Sequence, residues 1–195
     1  MLKLLIADDL EVSRKCLAMF LTRHGYHVLE AADGDEALRL TREERPDIAI
    51  VDLLMPEMDG FEFVREVRKD PSIADTPVIF LSANFPADNV KPIARSLGVR
   101  HTLQKSYIQA PVLEAIRETI QNHDSSEVAI SDQEFQCQHL QLISEKLAEE
   151  FSGLASTMGE LIESTCLAAS TEPNETFQIV IDQGRQFANE MIPCS

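Results

Sequence analysis

Over its first 120 residues the chain alternates two hydrophobic periods, and this alternation constrains the fold more than any other feature. Short apolar runs stand at 3–8 (KLLIAD), 27–31 (HVLEA), 47–52 (DIAIVD), 77–82 (PVIFLS) and 101–105 (HTLQK). Helix-like stretches separate and follow them near 11–24, 33–44, 58–69, 86–97 and 108–122. Gly25, Gly34, Pro46, Pro71, Pro77, Gly98 and Pro111 punctuate the joints. Strands that alternate with helices in this way predict an α/β fold, a doubly wound five-stranded parallel sheet covered on both faces. The unbroken apolar character of DIAIV and VIFL suits strands buried on both sides.

Ligands of such a sheet bind in the crevice beyond the carboxyl ends of its strands. There the first strand closes in Asp8 and Asp9, the third in Asp52, the fourth in Ser82 and the fifth in Lys105. Adjacent acids at the end of a buried strand repel each other and lose hydration, so they need a partner of opposite charge. A magnesium ion prefers carboxylate and water oxygens in an octahedron, and clustered acids become favourable around it. A carboxylate can attack phosphorus to form an acyl phosphate. Such a transfer needs positioned charges and donors on the phosphoryl oxygens, which magnesium, the Lys105 ammonium and the Ser82 hydroxyl would supply. A neutral hydroxyl beside the phosphoryl group also permits a conformational readout, because it can move to bond the new oxygens.

IADD, VDLLMPEMDGFEFVREVR, PVIFLSA and LQK, in this order and spacing, resemble the receiver domain of two-component response regulators over residues 1–122. The resemblance implies a flavodoxin-like fold with Asp52 as phosphoacceptor. It implies Mg2+ held by Asp8, Asp9, Asp52 and the backbone carbonyl of Leu54, Ser82 as the switch hydroxyl and Lys105 as the phosphate-contacting lysine. Pro56 and Gly60 would shape the loop after the phosphoacceptor. The implied phosphodonor is a histidine kinase or a histidine phosphotransfer protein. The implied chemistry is self-phosphorylation and self-dephosphorylation, not turnover as an enzyme. Two positions depart from the family pattern. Thr102 stands where an aromatic switch residue is usual, and Ser106 replaces a proline that follows the lysine in a cis peptide. A cis bond before a non-proline costs about 2.5–4 kcal/mol, so the bond to Ser106 is expected to be trans. Tyr107 stands near enough to fill part of the aromatic space.

Beyond residue 122 no strand signal follows. A polar linker over 123–130 leads to a helical C-terminal domain over 131–195, opened by a capping box at Ser131 and Glu134. Leu140, Leu147, Leu154 and Leu161 recur every seven residues, and Ile143, Phe151, Met158 and Ile162 widen their stripe into a bundle-type face. A second helix is predicted from Pro173–Asn174, with Phe177, Val180, Ile181, Phe187 and Met191 on one side. A first helix over 131–168 would be about 57 Å long, and the shorter second one would cover half of it. The remainder calls for a second copy, the receiver, or a fold-back at Gly153.

Charge separates the output classes. Residues 1–124 carry 15 Lys and Arg against 21 Asp and Glu, net −6, whereas residues 125–195 carry 2 against 12, net −10. So acidic a tail repels phosphate backbones, and its only cations are Lys146 and Arg185, which excludes a DNA reader. No run approaches the 18–20 apolar residues of a membrane span, and residues 1–8 are too short for a signal peptide, so a cytoplasmic protein is expected. Cys16, Cys137, Cys166 and Cys194 lie too far apart for a metal knuckle and read as reduced thiols. His139 reads as a surface or packing residue rather than a phosphotransfer histidine. The acid-amide spacings Asp132/Gln136 and Asp182/Gln186 read as solvated helix faces. The expected function is a phosphorelay response regulator that homodimerises through its tail and switches binding to a downstream protein. The alternatives are a regulator or phosphatase of another signalling phosphoprotein, and a decayed receiver kept as a scaffold.

Overall fold

The computed structural model describes residues 1–83, 87–105, 109–121, 135–144, 147–148, 152–154 and 156–158. The chain divides into two compact units, Met1–Asp132 and Gln133–Ser195.

In the first unit the predicted alternation is observed: β1 (Lys3–Ala7), α1 (Glu11–Arg23), β2 (His27–Ala31), α2 (Gly34–Glu44), β3 (Ile48–Asp52), α3 (Gly60–Lys69), β4 (Val78–Ser82), α4 (Ala87–Ser96), β5 (His101–Gln104) and α5 (Gln109–Gln121). The strands form one parallel sheet in the order β2-β1-β3-β4-β5. β1 pairs with β3 through Leu4↔Ile48 and Ala7↔Val51, and β3 with β4 through Asp52↔Leu81. β3 and β4 are buried along their whole length, as continuous apolar runs require. β2 and β5, at the two edges, are only partly covered.

One face of the sheet is sealed by α1 and α5. Leu17, Ala18 and Leu21 of α1 and Val112, Ala115 and Ile116 of α5 join Leu4, Ile6, Ile48, Ile50, Ile79 and Leu81 in one core. In this core, burying each Leu or Ile contributes about 1.5–3 kcal/mol. Phe61 of α3 meets Phe80 of β4 edge to face, ring centroids 5.3 Å apart. Carboxylates start two of the helices. Asp33 accepts from the Glu36 N–H at 2.7 Å at the head of α2, and Asp59 from the Glu62 N–H at 2.9 Å at the head of α3. α4 holds Pro92 in its interior, which removes one helical hydrogen bond.

At Gly60 α3 approaches the sheet closely. A Cβ built there would lie 2.3 Å from the carbonyl oxygen of Asp52. Only glycine lets the first turn of α3 lie against the end of β3, and the Gly60 N–H donates to the Leu53 carbonyl at 3.0 Å. Glu57, in the loop before it, takes φ 65°, and Met58 N–H donates to the Pro56 carbonyl at 2.8 Å around it. This three-residue turn turns the chain sharply just beyond Asp52.

In the second unit residues 135–144, 147–148, 152–154 and 156–158 are helical. Gly153 stands inside a helical segment, and Thr157 Oγ1 donates to its carbonyl at 3.0 Å. The His139 ring stacks on Phe135 with centroids 5.3 Å apart, the packing role expected for it. The predicted linker, the Ser131/Glu134 capping box, Ser106, Tyr107, Asp132 and the second helix lie outside the described residues. No helix among the described residues is long and apolar enough to cross a membrane.

Candidate functional site

The sheet order reverses at β1, whose neighbours are β2 on one side and β3 on the other, and the crevice at such a reversal is where an open α/β sheet binds ligands. The residues placed there by sequence converge on it. Asp8 follows β1 directly and Asp52 is the last residue of β3. Ser82 ends β4 and is buried. Lys105 follows β5 and reaches across the sheet end. Its ammonium donates to Asp52 Oδ2 at 2.7 Å and to Asp8 Oδ2 at 2.9 Å. The two adjacent acids differ in environment. Asp8 is fully buried, whereas Asp9 is exposed at the lip of the crevice. A cleft of about 220 Å3 opens here, lined among others by Asp9, Asp52, Leu54, Ser82 and Lys105. A larger cavity, about 300 Å3 among Leu2, Pro46, Ile73, Pro77 and Ile120, lies at the opposite ends of the strands, away from these groups.

The electrostatics follow from one cation shared between two buried carboxylates. Burial pushes the Asp52 carboxyl above its ordinary value. Lys105 and the Leu54 N–H oppose this, while the charge of Asp8 adds to it. Burial works to lower the Lys105 ammonium, but its bonds to Asp52 and Asp8 prevail and hold it above its ordinary value. The cluster is therefore short of positive charge. One oxygen each from Asp8, Asp9 and Asp52 lie within 4.8 Å of one another. Oxygens around an octahedral magnesium stand about 3–4 Å apart, so a small side-chain adjustment closes these three on such an ion. A hard divalent cation fits both the donor set and the missing charge.

Further groups hold Asp8, and sequence reasoning missed them. Its Oδ1 accepts from the Leu10 N–H at 3.0 Å, and its Oδ2 also accepts from Ser13 Oγ at 2.6 Å. Arg14 Nη1 donates to its carbonyl at 2.5 Å. The available signal was positional. Ser13 and Arg14 lie in the first turn of the helix that follows the paired acids, within reach of their chain. Thr102 of β5, at the place of the usual aromatic, pairs with Phe80 of β4 and is half-buried.

Comparison with known proteins agrees with this arrangement. The family model of the response regulator receiver domain matches residues 4–117, more than half of the chain. Protein PilH of Pseudomonas aeruginosa is 31% identical over 116 residues, which cover 60% of this chain and 95% of PilH. The probable transcriptional regulator ycf27 of Guillardia theta is 46% identical over 81 residues, but the match spans 42% of this chain and only 31% of that relative. Among solved structures, chemotaxis protein CheY4 of Vibrio cholerae superposes with a TM-score of 0.57 and 33% identity, over 60% of this chain and 98% of its own. A response regulator receiver domain protein from Clostridium thermocellum gives a TM-score of 0.57 at 28% identity, over 62% and 95%. The matched residues 4–117 span the sheet and the acid cluster, and the chain belongs to the response regulator receiver domain family.

Proposed function

We propose that the chain is a response regulator of a phosphorelay, in which Asp52 accepts a phosphoryl group from a histidine kinase or a histidine phosphotransfer protein. The observation that carries this is the shared ammonium: Lys105 bridges Asp8 and Asp52 at 2.9 and 2.7 Å in a crevice short of positive charge. Asp8, Asp9 and Asp52 would hold Mg2+, with the Leu54 carbonyl as a further ligand. The bound ion would neutralise charge on the transferred group. The protein's own groups do the rest. Asp52 Oδ1, which Lys105 leaves free, is the attacking oxygen. Lys105 stays protonated and can follow the new negative charge. Ser82, at the end of the neighbouring strand, can turn its hydroxyl to a phosphoryl oxygen. The reaction is confined to the chain's own aspartate, so the protein acts as an acceptor and not as an enzyme on other substrates. Incubation with acetyl phosphate and magnesium tests this: native protein gains one hydroxylamine-labile phosphoryl group by mass. Asp52→Asn protein that gains the same mass would overturn the assignment.

The output is proposed to be protein contact through the second unit, without DNA binding. Leu140, Leu147, Leu154 and Met158 are 68, 40, 61 and 49% exposed, and repeated exposed apolar surface marks an interface. A second copy of the chain is the proposed occupant, two-fold pairing being the commonest way to cover such a stripe. Leu147→Glu combined with Leu154→Glu should then leave a monomer with a folded receiver. Sedimentation of native protein at micromolar concentration as a single 21.8 kDa species would refute the dimer.

A further inference from the structure

Asp8 is held by several groups of the crevice, two of them on α1. Its side chain is fully buried. Each carboxylate oxygen already has a partner within the protein: Oδ1 takes the Leu10 N–H at 3.0 Å, and Oδ2 takes both Lys105 Nζ at 2.9 Å and Ser13 Oγ at 2.6 Å. The next residue of the helix, Arg14, binds the Asp8 carbonyl. Arg14 is itself backed from β2 by Glu30, whose Oε2 lies 3.6 Å from Arg14 Nε, is buried and accepts no hydrogen bond. Two consecutive α1 residues therefore grip Asp8 at both ends, one at the carboxylate and one at the main chain.

The two donors on Oδ2 differ in kind. Lys105 is a charged partner shared with Asp52, whereas Ser13 sits on a helix, is neutral and makes a short bond to Asp8. When Lys105 leaves Asp8, the Ser13 hydroxyl and the Leu10 N–H are the donors that keep the carboxylate in place. We infer that Ser13 is a positioning residue for the cation site: its hydroxyl fixes the Asp8 carboxylate in the orientation that a divalent cation meets. The inference rests on the proposed cation-binding role of Asp8. Groups that orient a ligating side chain are commonly worth about 10–100-fold in metal affinity, and a single neutral donor belongs at the lower end of that range.

The test is magnesium affinity of the full chain, by calorimetry, with Mn2+ binding by electron paramagnetic resonance as a second measure. Ser13→Ala should bind each ion about tenfold more weakly than native protein. Ser13→Thr, which keeps the hydroxyl, should return to near-native affinity, a rescue that a mere packing role would not give. Alanine is a good helix former, so the metal-free thermal midpoint of Ser13→Ala should stay close to native. Native affinity in Ser13→Ala, or a loss in Ser13→Thr as large as in Ser13→Ala, would overturn the positioning role and leave the Asp8 assignment standing. Asp8→Asn serves as the control: native affinity in that variant would overturn the assignment of Asp8 and the positioning role with it.

Discussion

Lys105→Met removes the ammonium of the crevice while keeping most of its volume. The ammonium lies 2.9 Å from Asp8 and 2.7 Å from Asp52, and the three side chains are 12, 0 and 8% exposed. At an effective dielectric of about 20, each contact at this distance amounts to about 6 kcal/mol of Coulomb attraction. Desolvation of the buried ammonium offsets much of this, and removing one partner of a buried pair typically costs about 3–5 kcal/mol. Asp52 moderates the loss, because burial raises its carboxyl and it can take a proton instead of standing as an unpaired charge. The expected destabilisation at pH 7 in metal-free buffer is about 3 kcal/mol, a fall of about 10 °C in thermal midpoint for a domain of this size. The sign with pH follows from the raised carboxyl. A group that binds its proton more readily when folded favours the folded state as pH falls, so the deficit shrinks on acidification. Magnesium acts in the same direction. At ten times its dissociation constant it stabilises native protein by about 1.4 kcal/mol, and the variant, with less competing positive charge, should gain more. The chain has no tryptophan, so far-ultraviolet circular dichroism is the assay, with chelator or magnesium at two pH values. A Lys105→Met midpoint equal to or above native in chelator at pH 7 would refute the charge-balance reasoning.

Gly60→Ala should lose about 1–2 kcal/mol in urea unfolding, since forcing a Cβ to 2.3 Å from the Asp52 carbonyl costs more than the helix gains from alanine; an unchanged midpoint would show that α3 can back away freely. Arg68 donates to the carbonyls of Leu97, Ala74 and Thr76 at 3.2, 2.6 and 2.8 Å. Arg68→Met strands all three acceptors and should cost about 2–4 kcal/mol, with a loss below 1 kcal/mol counting against it. The Ser72 hydroxyl, with Arg42 and the Ser72 N–H, holds the Asp70 carboxyl at about 2. Its stabilising contribution is therefore complete above about pH 4 and lost as the pH falls towards 2. Native protein and Asp70→Asn should differ by a constant midpoint shift between pH 5 and 7 and converge below pH 4, and a gap that widens on acidification would refute the assignment.

The fold was legible wherever burial left its period in the residues. The runs at 47–52 and 77–82 became β3 (Ile48–Asp52) and β4 (Val78–Ser82) within one residue, because strands covered on both faces admit little but apolar side chains. Helix starts were less legible. The stretch near 58–69 begins at Gly60, since Asp59 caps the helix and the turn at Glu57 precedes it. In the crevice the acids, Ser82 and Lys105 were legible because they end strands, and parallel strands deliver their ends to one edge. The contrast between buried Asp8 and exposed Asp9 was not, because both follow the same apolar run and only the path of the chain into α1 separates them. Ser13 and Arg14 were marked only by their position after the paired acids. A serine and an arginine in a first helical turn are ordinary, and their meaning comes from side-chain directions that no linear pattern records.

β5 is the four-residue strand at one edge of the sheet, hydrogen-bonded to β4 alone. Neighbouring strands stand about 4.8 Å apart, so Lys105, rooted just past this edge, reaches over β4 to the acid of β3 and on to that of β1. The ion pair works as a tether from an edge strand of the sheet to the central strand β3 and its neighbour β1. Any event that changes the charge on Asp52 changes the pull on that tether, and β5 can answer it without breaking a ladder on its outer side. Under the proposed phosphoryl transfer, a change of charge at Asp52 would therefore be felt at the rim of the sheet.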